Sequence, residues 1–207
     1  MKRPVQWSIA TSALILLGSL CFAYGDIPAA LWFHSLDNAA IYGLFSRITL
    51  FGDSLCYLVP GLLLYLLFRT GKPHLAEGGR FLFVAVAVSG LAADTIKFIA
   101  GRARPRLYFN DHLYGFSFFR YEPAWISFPS GHAATAFTAA FVLSTLFPRW
   151  RIILFGAAVL IAFSRLYLAQ HYISDVIAGS FLGIASTLLL YNRYFKPKDH
   201  AIEPSKV

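Results

Sequence analysis

The sequence has little charge and few of the residues that build metal sites or disulfide frameworks. Only 14% of its 207 residues are charged, whereas soluble domains carry about 25%. Its two cysteines, Cys21 and Cys56, lie in or beside apolar segments, and the sequence has no Cys/His spacing typical of a metal site. These shortages argue against a soluble domain, a disulfide framework and a metal centre.

Apolar residues take the place of the missing charge. They make up 57% of the chain, and the mean hydropathy is +0.60. A helix needs about 20 apolar residues to cross the bilayer core, and six stretches approach or reach that length: 7–24, 53–69, 80–100, 132–148, 151–169 and 173–192. The sequence therefore predicts an all-α integral membrane protein, a six-transmembrane helical bundle that forms a single membrane domain over residues 1–207.

Residues 28–51 form a further apolar stretch, which polar side chains interrupt. The interruptions are His34, Asp37, Asn38 and Arg47. The apolar residues between them recur at helical spacing, as in an amphipathic helix. We predict a helix that lies in the membrane interface rather than a seventh span.

The basic residues predict the orientation of the spans. The net charge of +8 would suggest nucleic acid as a partner of a soluble protein, but here we expect the bilayer and no nucleic acid. The positive-inside rule assigns one set of ends to the cytoplasm, including the tails 1–6 and 196–207, and eleven basic residues fall there: Lys2, Arg3, Arg69, Lys72, Arg80, Arg149, Arg151, Arg193, Lys196, Lys198 and Lys206. The other face holds seven, most of them within 97–106, and topology does not explain that cluster.

At the non-cytoplasmic face, the sequence predicts several polar side chains that could together bind an anion. Lys97 and Arg104 are seven residues apart, about two helical turns, so both point the same way if the helix persists until Pro105 ends it. Ser130 is placed to cap a following helix, whose free N–H groups and dipole favour an anion. Arg165, at the end of the fifth span, adds a planar donor fork suited to phosphate oxygens.

Two histidines accompany these cations. His171 and Asp175 are four residues apart and share one helical face. A carboxylate bonded to one ring nitrogen leaves the other free to act as a nucleophile. His132 has no carboxylate at helical spacing, so it is better placed to give a proton to a departing oxygen.

Together these residues resemble the three-part signature of the type 2 phosphatidic acid phosphatase family, which also includes vanadium-dependent haloperoxidases. No signature position is substituted, and the motifs lie within 97–175: Lys97-x6-Arg104-Pro105, Pro129-Ser130-Gly131-His132 and Ser164-Arg165-x5-His171-x3-Asp175. The resemblance implies a metal-independent phosphatase without a cofactor. It also implies that the phosphoryl group is held by five residues: Lys97, Arg104, Ser130, Gly131 and Arg165.

The resemblance further implies catalytic roles and a substrate class. His171 would attack phosphorus, Asp175 would orient His171, and His132 would protonate the leaving group and then activate water. The substrate would be a membrane lipid phosphate or diphosphate, hydrolysed at the outer face of a bacterial inner membrane. The alternatives are a lipid phosphotransferase and a non-catalytic lipid-binding protein of the same fold. The lipid and the oligomeric state stay open.

Other polar and aromatic residues near the signature have no assigned role. Asp94 lies one turn before Lys97, and we expect it to form a structural ion pair with Lys97 or another basic residue. Arg102 and Arg106 are candidates for a second phosphate or lipid headgroups. The aromatic-rich loop 106–128 is predicted to cover the site at the interface, or to act as a lid that selects the lipid.

Overall fold

Helices account for the regular structure of the chain. The computed structural model describes residues 3–36 and 38–195, and within these ranges it contains α-helices and no β-sheet. The α-helices are α1 (Arg3–Leu20), α2 (Asp26–Ser35), α3 (Ala39–Ile48), α4 (Leu55–Phe68), α5 (Pro73–Ala100), α6 (Pro105–Asp111), α7 (Gly131–Leu146), α8 (Arg151–Tyr167) and α9 (Ile173–Leu190).

The helices have the length and composition of a multi-pass membrane protein. A π-helical turn at Cys21–Gly25 joins α1 to α2 without a break. In the described residues, five helical segments are long and apolar enough to cross a membrane: Thr11–Ser35, Ala39–Phe68, Pro73–Ala100, Pro148–Tyr167 and Ile173–Phe195. Gly131–Leu146 is a shorter apolar helix. Each of the six predicted apolar stretches therefore coincides with a helix, while the number of crossings stays a prediction.

The segment 28–51 differs from the single interfacial helix that the sequence predicts. The chain leaves helical geometry after Ser35, and α3 starts again at Ala39. Asn38 separates the two helices because its side chain accepts a hydrogen bond from Ile41 N at 3.0 Å, which caps α3. Asp37 lies outside the described residues, as do Lys2 and the predicted tail 196–207.

The segment that carries Lys97 and Arg104 is also built differently from the expectation. The helix does not persist to Arg104, because α5 ends at Ala100 and Gly101 takes a left-handed conformation with φ of 56°. Gly101 N donates to Lys97 O at 3.0 Å, which closes the last turn. Pro105 then starts α6 instead of ending α5.

Close packing of α7 against α9 fixes Ser130, at the start of α7, relative to Asp175, at the start of α9. A Cβ added at Gly179 or Gly183 would lie 2.3 Å from Ser130 O or Ala134 O respectively. Glycine is therefore needed at both positions for the two backbones to approach. The contact brings Ser130 N within 3.0 Å of Asp175 O, to which it donates a hydrogen bond.

Candidate active site

The predicted site residues meet at one end of the bundle. The ends of α5 and α8 lie there with the starts of α7 and α9, and they carry Lys97, Arg165, His132 and Asp175. His132 is within electrostatic reach of Arg165, His171, Lys97 and Arg104. Residues separated by more than 70 positions in the sequence thus form one cluster.

The start of α7 provides free N–H groups and a lysine beside them. Ser130 is fully buried and its Oγ accepts from Ala133 N at 3.4 Å, as expected of an N-cap. A Cβ added at Gly131 would lie 3.0 Å from Lys97 Nζ, so glycine allows the ammonium to approach the helix start. Lys97 Nζ also contacts Asp94 Oδ1 at 2.9 Å, which is the predicted pair.

Arg104 and Arg165 bring positive charge that nearby carboxylates do not neutralise. Arg165 Nη1 donates to Thr49 Oγ1 at 2.7 Å, and Arg104 Nη1 donates to Gln170 Oε1 at 2.8 Å. In the described part of the chain neither arginine forms an ion pair, and both Nε atoms are buried without a partner. Burial and the neighbouring Arg106 lower the pKa of Arg104. These features are those of a site that binds an anion.

A backbone carbonyl, rather than the predicted carboxylate, bonds directly to His171. Its Nδ1 lies 2.7 Å from Ser127 O and 3.7 Å from Asp175 Oδ2, which exceeds hydrogen-bond length. Because a carbonyl only accepts, Nδ1 must carry the proton and Nε2 keeps its lone pair. Burial lowers the pKa of His171 to about 4, with Arg104 and Arg165 acting in the same direction and Asp175 opposing them.

Asp175 forms hydrogen bonds with the residues that position His171. Its Oδ2 accepts from Ser127 Oγ at 2.6 Å and from Tyr172 N at 2.8 Å. The carboxylate is fully buried, and it fixes the residues on both sides of the imidazole. Asp175 therefore orients His171 through Ser127 and the backbone, and its own oxygen approaches the imidazole only to 3.7 Å, where the sequence predicted a direct hydrogen bond.

Arg102 is a structural residue of the site, not a spare phosphate ligand. Its fully buried guanidinium donates to Asp175 Oδ1, to Asp26 Oδ2 at 2.6 Å, to Ser174 Oγ at 2.7 Å and to Tyr114 OH at 3.1 Å. These four partners occupy its Nη donors, and together with Arg102 they form the Arg102 cluster. The hypothesis that Arg102 binds a second phosphate is therefore wrong.

Asp26 is an acidic member of this cluster that the sequence analysis did not identify. Besides Arg102, it accepts from Ser174 N at 3.0 Å and from Ser174 Oγ at 2.5 Å, at the start of α9. It is 1% exposed. An ionisable residue between apolar runs is a functional candidate by default, and that signal could have identified it.

Further contacts come from segments outside the signature. Gly52 lies against the imidazole of His132, since a Cβ added there would be 2.7 Å from His132 Cδ2. Thr49, on the same 3₁₀ turn Thr49–Gly52, accepts a hydrogen bond from Arg165.

In the described residues no group of three or more His, Cys, Asp or Glu side chains is spaced to hold a metal ion.

The aromatic loop places rings on the outside of the molecule. Phe118 and Phe119 are 69% and 66% exposed, and Phe119 and Tyr121 contact the ring of Phe98 on α5. A hydrogen bond from Ser117 N to Gly101 O at 2.7 Å ties the loop to the end of α5. A role as cover or lid stays a prediction.

The chain resembles known proteins in sequence. The family described as the PAP2 superfamily matches residues 78–199, more than half of the chain. The lipid A 1-phosphatase of Rhizobium etli is 34% identical over 199 residues, which cover 87% of this chain and 82% of the relative. The undecaprenyl-diphosphatase of Sulfolobus acidocaldarius is 30% identical over 146 residues, 70% of this chain and 66% of the relative.

Solved structures share the fold. A transmembrane PAP2-type phosphatidylglycerolphosphate phosphatase from Bacillus subtilis aligns with a TM-score of 0.71 at 22% identity, covering 97% of this chain and all of that one. LpxE from Aquifex aeolicus aligns with a TM-score of 0.62 at 24% identity, covering 81% of this chain and 94% of that one.

Proposed function

The chain belongs to the PAP2 superfamily, and from this premise we propose that it is a membrane phosphatase that hydrolyses a lipid phosphate or diphosphate ester through a phosphohistidine. One observation carries the proposal. Arg165 is buried and Arg104 is half-buried beside His171 and His132, no carboxylate is bound to either, and both Nε donors lack a partner in the described residues. A phosphoryl group supplies the missing negative charge and the missing acceptors.

The first step transfers the phosphoryl group to the enzyme. His171 Nε2 attacks phosphorus, the bond from phosphorus to the lipid oxygen breaks, and His132 gives that oxygen a proton. The tautomer set by Ser127 O supports this role, since it leaves the attacking lone pair on Nε2. The low pKa of His171, about 4, keeps the ring unprotonated at neutral pH.

The second step releases phosphate. His132, now neutral, takes a proton from water as the water attacks phosphorus, and the bond between phosphorus and His171 Nε2 breaks. Lys97, Arg104, Arg165 and the N–H groups after Ser130 hold the equatorial oxygens in both steps. Such fixed donors stabilise the transition state because they need no reorganisation when charge develops. Neither step uses a metal ion.

The position of the site suggests an orientation in the membrane. The cluster lies at the end of the bundle opposite Arg69, Lys72, Arg149 and Arg151, which the positive-inside rule assigns to the cytoplasm. We propose six crossings, both termini in the cytoplasm and a site that faces the periplasm of a bacterial inner membrane. The substrate class is a membrane lipid phosphate, consistent with relatives named as lipid A 1-phosphatase and undecaprenyl-diphosphatase.

The function is tested by measuring inorganic phosphate released from a panel of lipid phosphates by the protein in detergent with EDTA. We expect His171→Ala to abolish release without loss of fold. His74→Ala is the matched control, because His74 is exposed at the start of α5, at the opposite end of the bundle. Wild-type release from a folded His171→Ala protein would refute the nucleophile, and inhibition by EDTA would refute the metal-free mechanism. A phosphorylated acceptor lipid in place of free phosphate would identify a phosphotransferase.

A further inference from the structure

Gln170 lies beside the nucleophile, and the signature assigns it no role. It directly precedes His171, and its side chain accepts hydrogen bonds from two arginines. Arg104 Nη1 donates to Gln170 Oε1 at 2.8 Å, and Arg106 Nη2 donates to the same oxygen at 3.3 Å. The phosphate clamp consists of the groups proposed above to hold the phosphoryl oxygens: Lys97, Arg104, Arg165 and the start of α7. One amide oxygen therefore holds one cation of the clamp and one cation outside it.

The orientation of the Gln170 amide follows from its partners. A guanidinium group only donates hydrogen bonds, so the amide oxygen must face the two arginines. The amide nitrogen donates to Leu168 O at 3.3 Å, and a carbonyl only accepts. One orientation of the amide thus satisfies all three contacts, and in that orientation the arginines meet an acceptor that carries no charge.

The turn after α8 fixes Gln170 relative to the rest of the site. Ala169 takes a left-handed conformation with φ of 51°, in which helices commonly end. The backbone N–H groups of Gln170 and His171 then both donate to Arg165 O, at 3.0 Å and 3.2 Å. The residue that contacts Arg104 through its side chain is therefore bonded through its backbone to a second residue of the clamp.

The contact with Gln170 positions Arg104 without cancelling its charge. In the described residues no carboxylate lies within ion-pair distance of Arg104 or Arg106. Burial lowers the pKa of Arg104, and repulsion from Arg106 acts in the same direction. A neutral amide oxygen bonds to both cations and leaves their positive charge for an incoming phosphate.

We propose that Gln170 is a positioning residue of the reaction, which holds Arg104 in the phosphate clamp through an uncharged acceptor. The proposal rests on the phosphatase function proposed above and adds a residue outside the signature. Arg106, which is exposed, bonds to the same oxygen and adds positive charge beside the clamp. The neutrality of the Gln170 side chain matters as much as its hydrogen bonds, because a carboxylate in its place would compete with the substrate for Arg104.

Two substitutions separate the position of Arg104 from its charge. Gln170→Glu keeps the shape of the side chain and an oxygen acceptor for both arginines, but it adds the negative charge that the native residue lacks. Gln170→Met keeps an unbranched side chain but removes the acceptor. Asn38→Asp is the matched control, because it makes the same change from amide to carboxylate at an exposed N-cap, where Asp and Asn serve equally well.

The experiment measures kcat/KM for the most active lipid phosphate of the panel, and the Kd for inorganic phosphate by calorimetry in detergent. We expect Gln170→Glu to lower kcat/KM about 100-fold, the loss typical of removing one fixed donor to the reacting oxygens, and to raise the Kd about tenfold. Gln170→Met should lower kcat/KM about tenfold, as misplacement of a group does, and should raise the Kd less. Asn38→Asp should match wild type in both measurements. Thermal unfolding in detergent establishes that each variant is folded.

The order of the two Gln170 variants distinguishes positioning of a charge from a purely structural role. If Gln170 only held the turn together, Gln170→Glu would be the milder change, because it keeps the acceptor and bonds to arginine more strongly. That order would overturn the proposal, as would a wild-type kcat/KM from either variant or an unchanged Kd for phosphate in Gln170→Glu. Phosphate binding does not require turnover. A wild-type protein that binds phosphate, shows these differences in Kd among its variants and releases no phosphate from any lipid would refute the phosphatase function and leave the role of Gln170 in place.

Discussion

Replacing Asp26 tests whether the Arg102 cluster holds the site together. Asp26→Ala removes the acceptor for Arg102 Nη2 at 2.6 Å and leaves Ser174 N without its partner at 3.0 Å. Both carboxylates and the guanidinium are fully buried, and removing one partner of such a pair costs about 3–5 kcal/mol. For a chain of this size that lowers Tm by about 6–20 °C. Thermal unfolding in detergent measures it, with Asp111→Ala, at an exposed carboxylate, as the control.

A double-mutant cycle separates the ion pair from general damage. Arg102→Met alone leaves Asp26 and Asp175 buried without their cation, so adding Asp26→Ala relieves one unpaired charge. We therefore expect the double variant to be more stable than the sum of the single effects predicts, with a coupling above about 1 kcal/mol. Additive effects, or an Asp26→Ala protein whose Tm falls by less than about 2 °C, would refute the reasoning.

Two further predictions concern the phosphate clamp and the nucleophile. Gly131→Ala puts a Cβ 3.0 Å from Lys97 Nζ, so the ammonium must shift slightly away from the helix start, and kcat/KM should fall by up to about tenfold. Gly90→Ala on α5, whose added Cβ meets nothing within 4 Å, is the control, and equal activities of the two variants would contradict the placement of Lys97. The pKa of His171 is about 4 in the folded protein, against an ordinary value of about 6.5. Between these two values the unfolded chain binds a proton at His171 and the folded protein does not, so the wild type should lose stability as pH falls from about 6.5 towards 4. The His171→Asn side chain can still donate to Ser127 O but does not titrate, so the Tm of this variant should fall less over that pH range than the Tm of the wild type. An equal fall in Tm for the two proteins would contradict the low pKa of His171.

The sequence predicts the helices and the signature residues because both leave local patterns. An apolar run long enough to span a bilayer is visible without knowing its neighbours, and all six stretches coincide with helices. Ser130 is recognisable as a cap from its position before an apolar run. The ion pair between Asp94 and Lys97 follows from their helical spacing.

The residues that position His171 and Arg165 leave no comparable local pattern in the sequence. The oxygen that bonds to His171 is the backbone carbonyl of Ser127, 44 residues away, and every residue type has such a carbonyl. Thr49 is paired with Arg165 across 116 residues, so only the folded bundle brings them together. Tyr172, whose place before the sixth span is typical of an interfacial aromatic, is instead 1% exposed and packs on Arg102.

The stereochemical course at phosphorus tests the central mechanism most directly. A lipid thiophosphate made chiral with oxygen isotopes is hydrolysed by the wild-type protein, and the configuration of the released thiophosphate is determined. Transfer to His171 and then to water inverts phosphorus twice, so we expect overall retention of configuration. Overall inversion would mean that water attacks the lipid phosphate in a single step, and would contradict a covalent intermediate on His171.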